Sequence, residues 1–172
     1  MEFTNDELEI SSLPRAEDAV LTPVDKRYFK VILLQKGIFW MFVIVASAIA
    51  VAFYERLQTN LWITAIMAVL ALAIIVNLRL AYLAFLNKAF AVREHDMIYQ
   101  DGWLVKSLHV FPFNRIQHCS IDTGVFERRF GLSRLKIYTA GGNDSDIVIP
   151  GLTSEQSSAL REMIIQRNHL DG

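Results

Sequence analysis

The sequence predicts a membrane α-helical hairpin of two spans followed by a small α+β domain, a partly open β-barrel or half-sandwich with a C-terminal capping helix. Three observations carry this expectation. Two apolar runs between Gly37 and Leu86 are split by one short polar break at Glu55–Asn60. From Lys88 the solid apolar runs give way to strand-like alternation. Near the C-terminus, Thr153-Ser154-Glu155-Gln156 has the form of a capping box, with Thr153 as N-cap and Gln156 reaching back.

The totals agree. A chain of 172 residues has room for one ordinary domain and a little more. Hydrophobic residues make up 53% and mean hydropathy is +0.31, high for a soluble protein of this size. A net charge of -1 supplies no global basic field for nucleic acid. The single cysteine, Cys119, excludes an internal disulfide framework and fits a reducing compartment. The opening MEFTNDELEI is acidic without an apolar core, unlike a secretory signal peptide.

Residues 1–22 hold six acids against one base, Arg15, with Ser11, Ser12 and Pro14 among them. So little apolar surface predicts an acidic flexible tail. Thr22-Pro23 then reads as a helix start, Thr as N-cap, Pro at the first helical position and Asp25 in the first turn. The hairpin is expected over residues 23–87, with spans at about 37–54 and 61–78.

Ile38–Tyr54 contains no charge and as a helix covers about 26 Å, slightly less than a hydrocarbon core of about 30 Å. Lys36 can make up the difference by snorkelling outward. The second run, Leu61–Val76, resumes past Asn77 and Arg79 as LAYLAF, so its helix is expected to reach about Leu86. Both runs are apolar on every face, and no other helices exist to bury them. Ala46, Ser47 and Ala50 with Ala65, Ala68 and Ala71 allow close helix approach in lipid. No ionisable residue lies inside either uncharged run, so nothing there marks a substrate path.

Lys26, Arg27, Lys30 and Lys36 precede the first span; Arg79, Lys88 and Arg93 flank the second. The connecting loop has only Arg56, beside Glu55. The positive-inside rule therefore puts both termini in the cytoplasm of a multi-pass protein, and the functional part on that side.

The domain is expected over residues 88–172. Ala89–Arg93 and Met97–Gln100 are short candidate strands, and Asp101-Gly102 is a hairpin turn leading into a long strand, Trp103–Phe111. Phe113–Asp122 reads as the next strand, its alternation slipping at Gln117-His118 as at a bulge. GVFERRFG over residues 124–131 is one helical turn closed by glycine. Leu135, Ile137 and Thr139 alternate with Arg134, Lys136 and Tyr138. AGGND at 140–144 is a turn, Ile147–Ile149 a last short strand ended by Pro150-Gly151. The final helix runs to about Asn168, with Ala159, Leu160, Met163 and Ile164 as its apolar stripe.

Arg115-Ile116-Gln117, Phe126-Glu127-Arg128, Phe130-Gly131-Leu132 and Thr139-Ala140-Gly141 resemble the bacterial pleckstrin-homology-like domain of YdbS-type membrane-flanked proteins. Leu13-Pro14 and Leu21-Thr22-Pro23 with Tyr28, ahead of two spans, are similar as well, so the resemblance covers nearly the whole chain. It implies a PH-like β-barrel or half-sandwich with a C-terminal helix, held at the inner face of the bacterial plasma membrane. It further implies company with a larger membrane protein carrying repeated PH-like domains, and it carries over no catalytic residues. One departure concerns the first hairpin, His95-Asp96, which has only Arg93 before it where phosphoinositide pockets concentrate Lys and Arg.

Arg128, Arg129, Arg134 and Lys136 form the one dense basic group in a domain with ten bases and ten acids. Such a group either meets anionic lipid headgroups or pairs with Glu127 and Asp122 on a solvated face, the commoner outcome. Arg115 and Gln117, two apart, share a face on a regular strand. They either contact a partner's backbone or hydrogen-bond their strand to the following turn, and the sequence leaves both open.

Cys119 beside His118 suggests a small thiol hydrolase. Strand neighbours point to opposite faces, however, which favours a buried small hydrophobe. His95, His109, His118 and His169 lack metal-ligand spacing, and Asp144-Ser145-Asp146 lacks the rest of a calcium loop. There is no glycine-rich phosphate loop and no G-x-S-x-G elbow. The expectation is a non-enzymatic module without cofactor or metal. It binds another membrane protein or a second copy of itself, with anionic lipid as the alternative ligand.

Overall fold

Two helices of 27 residues each, α1 (Arg27–Phe53) and α2 (Asn60–Leu86), rise from one edge of a β domain. The computed structural model describes residues 16–54, 59–139 and 146–170. Both helices are long and apolar enough to cross a membrane, and none of their most apolar stretch is buried inside the molecule. Trp40 Nε1 donates to Asn77 Oδ1 at 3.4 Å, and Phe29 packs on Tyr82 and Phe85 with ring centroids 5.3 and 5.4 Å apart. The first run is expected to end at Tyr54 and the second helix at about Leu86; α1 ends at Phe53 and α2 at Leu86. The polar break at 55–58, the tail at 1–15 and the turn at 140–145 lie outside the described residues.

Among the described residues, seven strands form two antiparallel sheets. The first has the order β1 (Thr22–Pro23), β2 (Ala89–Val92), β3 (Asp96–Asp101), β4 (Ser107–Pro112). The second has the order β5 (Ile116–Asp122), β6 (Leu132–Thr139), β7 (Asp146–Thr153). A short helix α3 (Val125–Arg129) links β5 to β6, and α4 (Ser154–Leu170) lies on the second sheet. The core joins both sheets and α4 through Met97, Phe113, Ile116, Leu135, Ile149 and Ile164. A two-sheet domain with a closing helix after a helical hairpin is the expected fold class.

Thr22-Pro23 is not a helix start. Thr22 pairs with Phe90 and Pro23 with Ala89, so the segment is an edge strand of the first sheet. Proline suits an edge because it has no N–H to donate. The next two amides find tertiary acceptors: Val24 N–H donates to the Lys88 carbonyl at 3.2 Å, and Asp25 N–H to the Gly151 carbonyl at 2.9 Å. These bonds replace the local cap, and α1 begins only at Arg27, whose N–H donates to Asp25 Oδ1 at 2.7 Å. The hairpin is thus inserted between two neighbouring strands of one sheet.

The predicted strand Trp103–Phe111 starts only at Ser107. Asp101 pairs with Ser107, leaving residues 102–106 as a loop. The Asp101-Gly102 turn signal is right in its chemistry: Gly102 has φ +92°, and a Cβ there would lie 2.0 Å from the Val105 carbonyl oxygen. Strand propensity in Trp103-Leu104-Val105 does not extend the sheet because these residues have no cross-strand partner in it.

Pro150-Gly151 does not end the last strand either. Leu135 pairs with Ile149 and Ser133 with Leu152, so Pro150 and Gly151 form a bulge opposite Arg134. Gly151 takes φ +69°, which glycine adopts without strain. The expected slip at Gln117-His118 is a real register shift between Ile116 and His118. The capping box is formed: Gln156 N–H donates to Thr153 Oγ1 at 3.1 Å, and Thr153 N–H to Gln156 Oε1 at 3.0 Å. The buried stripe of α4 is narrower than expected. Ser157, Leu160 and Ile164 are buried, whereas Ala159 and Met163 are exposed. The Ser133 hydroxyl donates to Ser157 Oγ at 2.8 Å, a polar contact that the apolar pattern did not reveal.

Candidate functional site

The joint between hairpin and domain is held by side-chain and backbone hydrogen bonds. Arg27, at the start of α1, holds Asp25 through Nε at 3.0 Å and Nη2 at 2.8 Å, and donates from Nη1 to the Phe130 carbonyl at 3.2 Å. Its guanidinium lowers the Asp25 pKa, first through the side-chain hydrogen bond, against a smaller opposing effect of burial. Val24 and Val31 are buried. Tyr28 stands against Gly151, where any Cβ would come within 2.8 Å of its Cβ and Cγ. The first turns of α1 are therefore part of the domain's packing.

Of the four basic residues, two are neutralised. Arg134, on β6, pairs with buried Glu127 of α3, and Lys136 Nζ lies 2.7 Å from Asp122 Oδ2. Both acids are the ones the sequence offered as structural partners. Arg128 and Arg129, at the end of α3, are exposed and make no ion pair among the described residues. Beside them Val125 is also exposed.

Arg115 and Gln117 do not share a strand face. Arg115 belongs to a 3-10 turn, Phe113–Arg115, and Gln117 sits at the bulge of β5. Both are exposed, and no side-chain hydrogen bond among the described residues ties either to the following turn. Their shared-face premise fails because the chain leaves the strand geometry just before Ile116.

Cys119 is half-buried against the core, and burial pushes its thiol pKa up, with Arg161 opposing more weakly. His118 turns elsewhere, stacked on Tyr138 with ring centroids 4.0 Å apart. The two do not form a nucleophile–base pair. Among the described residues no cluster of His, Cys, Asp and Glu is placed to hold a metal ion.

A cleft of about 300 Å³ runs between the domain-proximal ends of the helices and the β3–β4 loop, lined by Ile32, Lys36, Asn77, Leu80, Lys88 and Trp103 among others. Lys88 Nζ donates to the Tyr99 hydroxyl at 3.2 Å, and desolvation lowers the Lys88 pKa, with Asp101 opposing. Burial likewise pushes the Tyr99 phenol above its ordinary value. Three consecutive apolar residues directly after an Asp-Gly turn were the available signal, hidden by reading them as strand.

Residues 29–168 match the bacterial PH domain family. Over 75 residues the chain is 32% identical to the transmembrane protein YdbS of Bacillus subtilis (strain 168), covering 44% of this chain and 45% of that protein. The matched part thus spans less than half the length of that relative. No solved structure matches the chain.

Proposed function

This chain belongs to the bacterial PH domain family, and from that premise we propose that it is a non-enzymatic interaction module anchored in the bacterial plasma membrane by two spans. In this reading both termini are cytoplasmic, and the domain binds another membrane protein or a second copy of itself. A larger membrane protein with repeated PH-like domains is the heterologous partner that the sequence resemblance suggests.

The observation that carries the reading is the attachment of the hairpin. α1 leaves from β1 and α2 returns into β2, its neighbour in the same sheet. A domain clamped at both ends of its anchor presents one face at a defined height and tilt, which favours lateral recognition in the plane of a membrane over capture of soluble ligands. The exposed end of α3, with Val125, Arg128 and Arg129, is the contact we assign to that partner. The lipid alternative loses two of its four charges to Glu127 and Asp122.

Photo-crosslinking residues placed singly at Val125, Arg128 and Arg129 in intact membranes test the proposal. A discrete adduct with one protein, or with a second copy, is expected. Recovery of no protein neighbour from any of the three sites would sink it. A reporter fused after Gly172 that is active only outside the cytoplasm would overturn the orientation.

A further inference from the structure

We propose that the β3–β4 loop, Trp103-Leu104-Val105-Lys106, dips into the headgroup–acyl boundary of the leaflet on the domain's side, giving the protein a third membrane contact besides its two helices. This rests on the membrane-anchored reading above and adds a lipid-binding element to it.

The loop is unusual for the exterior of a folded domain. Trp103 is 43% exposed, Leu104 76% and Val105 72%. Singly scattered apolar residues on a surface are ordinary, but three in succession at a loop tip mark a surface that something covers. These residues belong to no strand, so they are not an edge awaiting another strand. The loop is also tightly closed. Gly102 folds under the Val105 carbonyl so closely that any side chain at 102 would collide with it. The apolar tip is held out by the backbone.

Its position identifies the occupant. Trp103 shares its cleft with Lys36 and Asn77. Lys36 lies two residues before the uncharged run that starts at Ile38, and Asn77 directly follows the run that ends at Val76. The cleft therefore reaches the level at which both helices become free of charge, where hydrocarbon would begin. Tryptophan favours that depth because its indole is apolar with one polar N–H. Lys106 follows the apolar triplet and Lys36 faces the same cleft, placing cations where anionic headgroups lie. Elements that bind this way bury their apolar face ~5–10 Å deep, within reach of one loop.

The experiment uses the full chain in lipid nanodiscs with Trp40→Phe and Trp62→Phe, leaving Trp103 as the sole tryptophan, and brominated lipids as quenchers. Shallow-brominated lipid should remove most of the Trp103 emission, while aqueous iodide removes little. A companion protein retaining only Trp62, at the start of α2, reports the anchor itself. Quenching of Trp62 by lipid with Trp103 open to iodide overturns the loop insertion and leaves the anchor intact; loss of lipid quenching at both overturns both. Trp103 shielded from lipid and iodide alike would put protein there and overturn the lipid assignment. Leu104→Cys in a Cys119→Ser background gives an independent readout. Its labelling by a polar maleimide should be several-fold slower in nanodiscs than that of Glu94→Cys, at the β2–β3 turn, and equal rates would count against insertion.

Discussion

Gly151 of the β7 bulge lies directly against Tyr28 of α1: a Cβ on the glycine would meet Tyr28 Cβ and Cγ at 2.8 Å. The bulge that turns the Gly151 carbonyl toward the Asp25 N–H also removes the side chain that would hold α1 away. One glycine thus sets how the helix leaves the domain.

Gly151→Ala should accordingly destabilise the protein by ~2 kcal/mol or more, combining a positive φ with a backbone-level clash. Thermal unfolding in detergent measures it. The cost should shrink in a Tyr28→Gly background, since the Tyr28 Cβ and ring atoms are then absent and only the φ strain remains. Equal costs in both backgrounds would show that the two residues are not coupled.

Glu127 is 3% exposed and paired with Arg134. Glu127→Ala should destabilise by ~2–4 kcal/mol, because it strands a partly buried guanidinium. Glu127→Ala combined with Arg134→Met should recover much of that loss. If the double variant were less stable than Glu127→Ala alone, the stranded guanidinium would not be the source of the loss.

Asp25 gives a pH dependence. Its pKa is lowered in the folded protein, chiefly by the Arg27 hydrogen bond. The stabilisation is therefore fully present above the ordinary aspartate value near 3.8 and is lost as pH falls through the lower folded value. Asp25→Asn should remove this acid-sensitive component while lowering stability at neutral pH. Parallel stability–pH curves for the two proteins below pH ~4 would contradict the assignment.

Cys119 should react slowly with maleimide at neutral pH, because burial raises its thiol pKa. The rate should climb only as pH passes above the ordinary thiol value of about 8.5. Cys119→Ser should leave the crosslinking pattern at α3 unchanged. Labelling at neutral pH as fast as for a free thiol would reopen the question of a reactive cysteine.

Where sequence and structure agree, the signal was local. The capping box needs only Thr153 and Gln156, the bulge at Gln117 only a broken alternation, and the turn at Gly131 only a glycine with φ +65°. Where they part, a distant residue decides. Thr22-Pro23 has the local form of a helix start, yet the Lys88 and Gly151 carbonyls take the amides that follow it. Pro150-Gly151 has the form of a strand end, yet Arg134 faces it as a bulge and β7 continues to Thr153. Arg134 and Lys136 looked like half of a basic surface, and Glu127 and Asp122 neutralise them.

By itself, the sequence determined the two apolar helices, the change to strands after Lys88 and the final capped helix. Composition and periodicity act over one element at a time, and burial or lipid is the only place such runs can go. Only the tertiary structure decided that the hairpin is inserted between adjacent strands, that α1 docks through Tyr28 on Gly151, and that Trp103-Leu104-Val105 is an exposed loop at the level of Lys36 and Asn77. Those outcomes depend on hydrogen-bond partners and cavities supplied by residues tens of positions away, which no local pattern encodes.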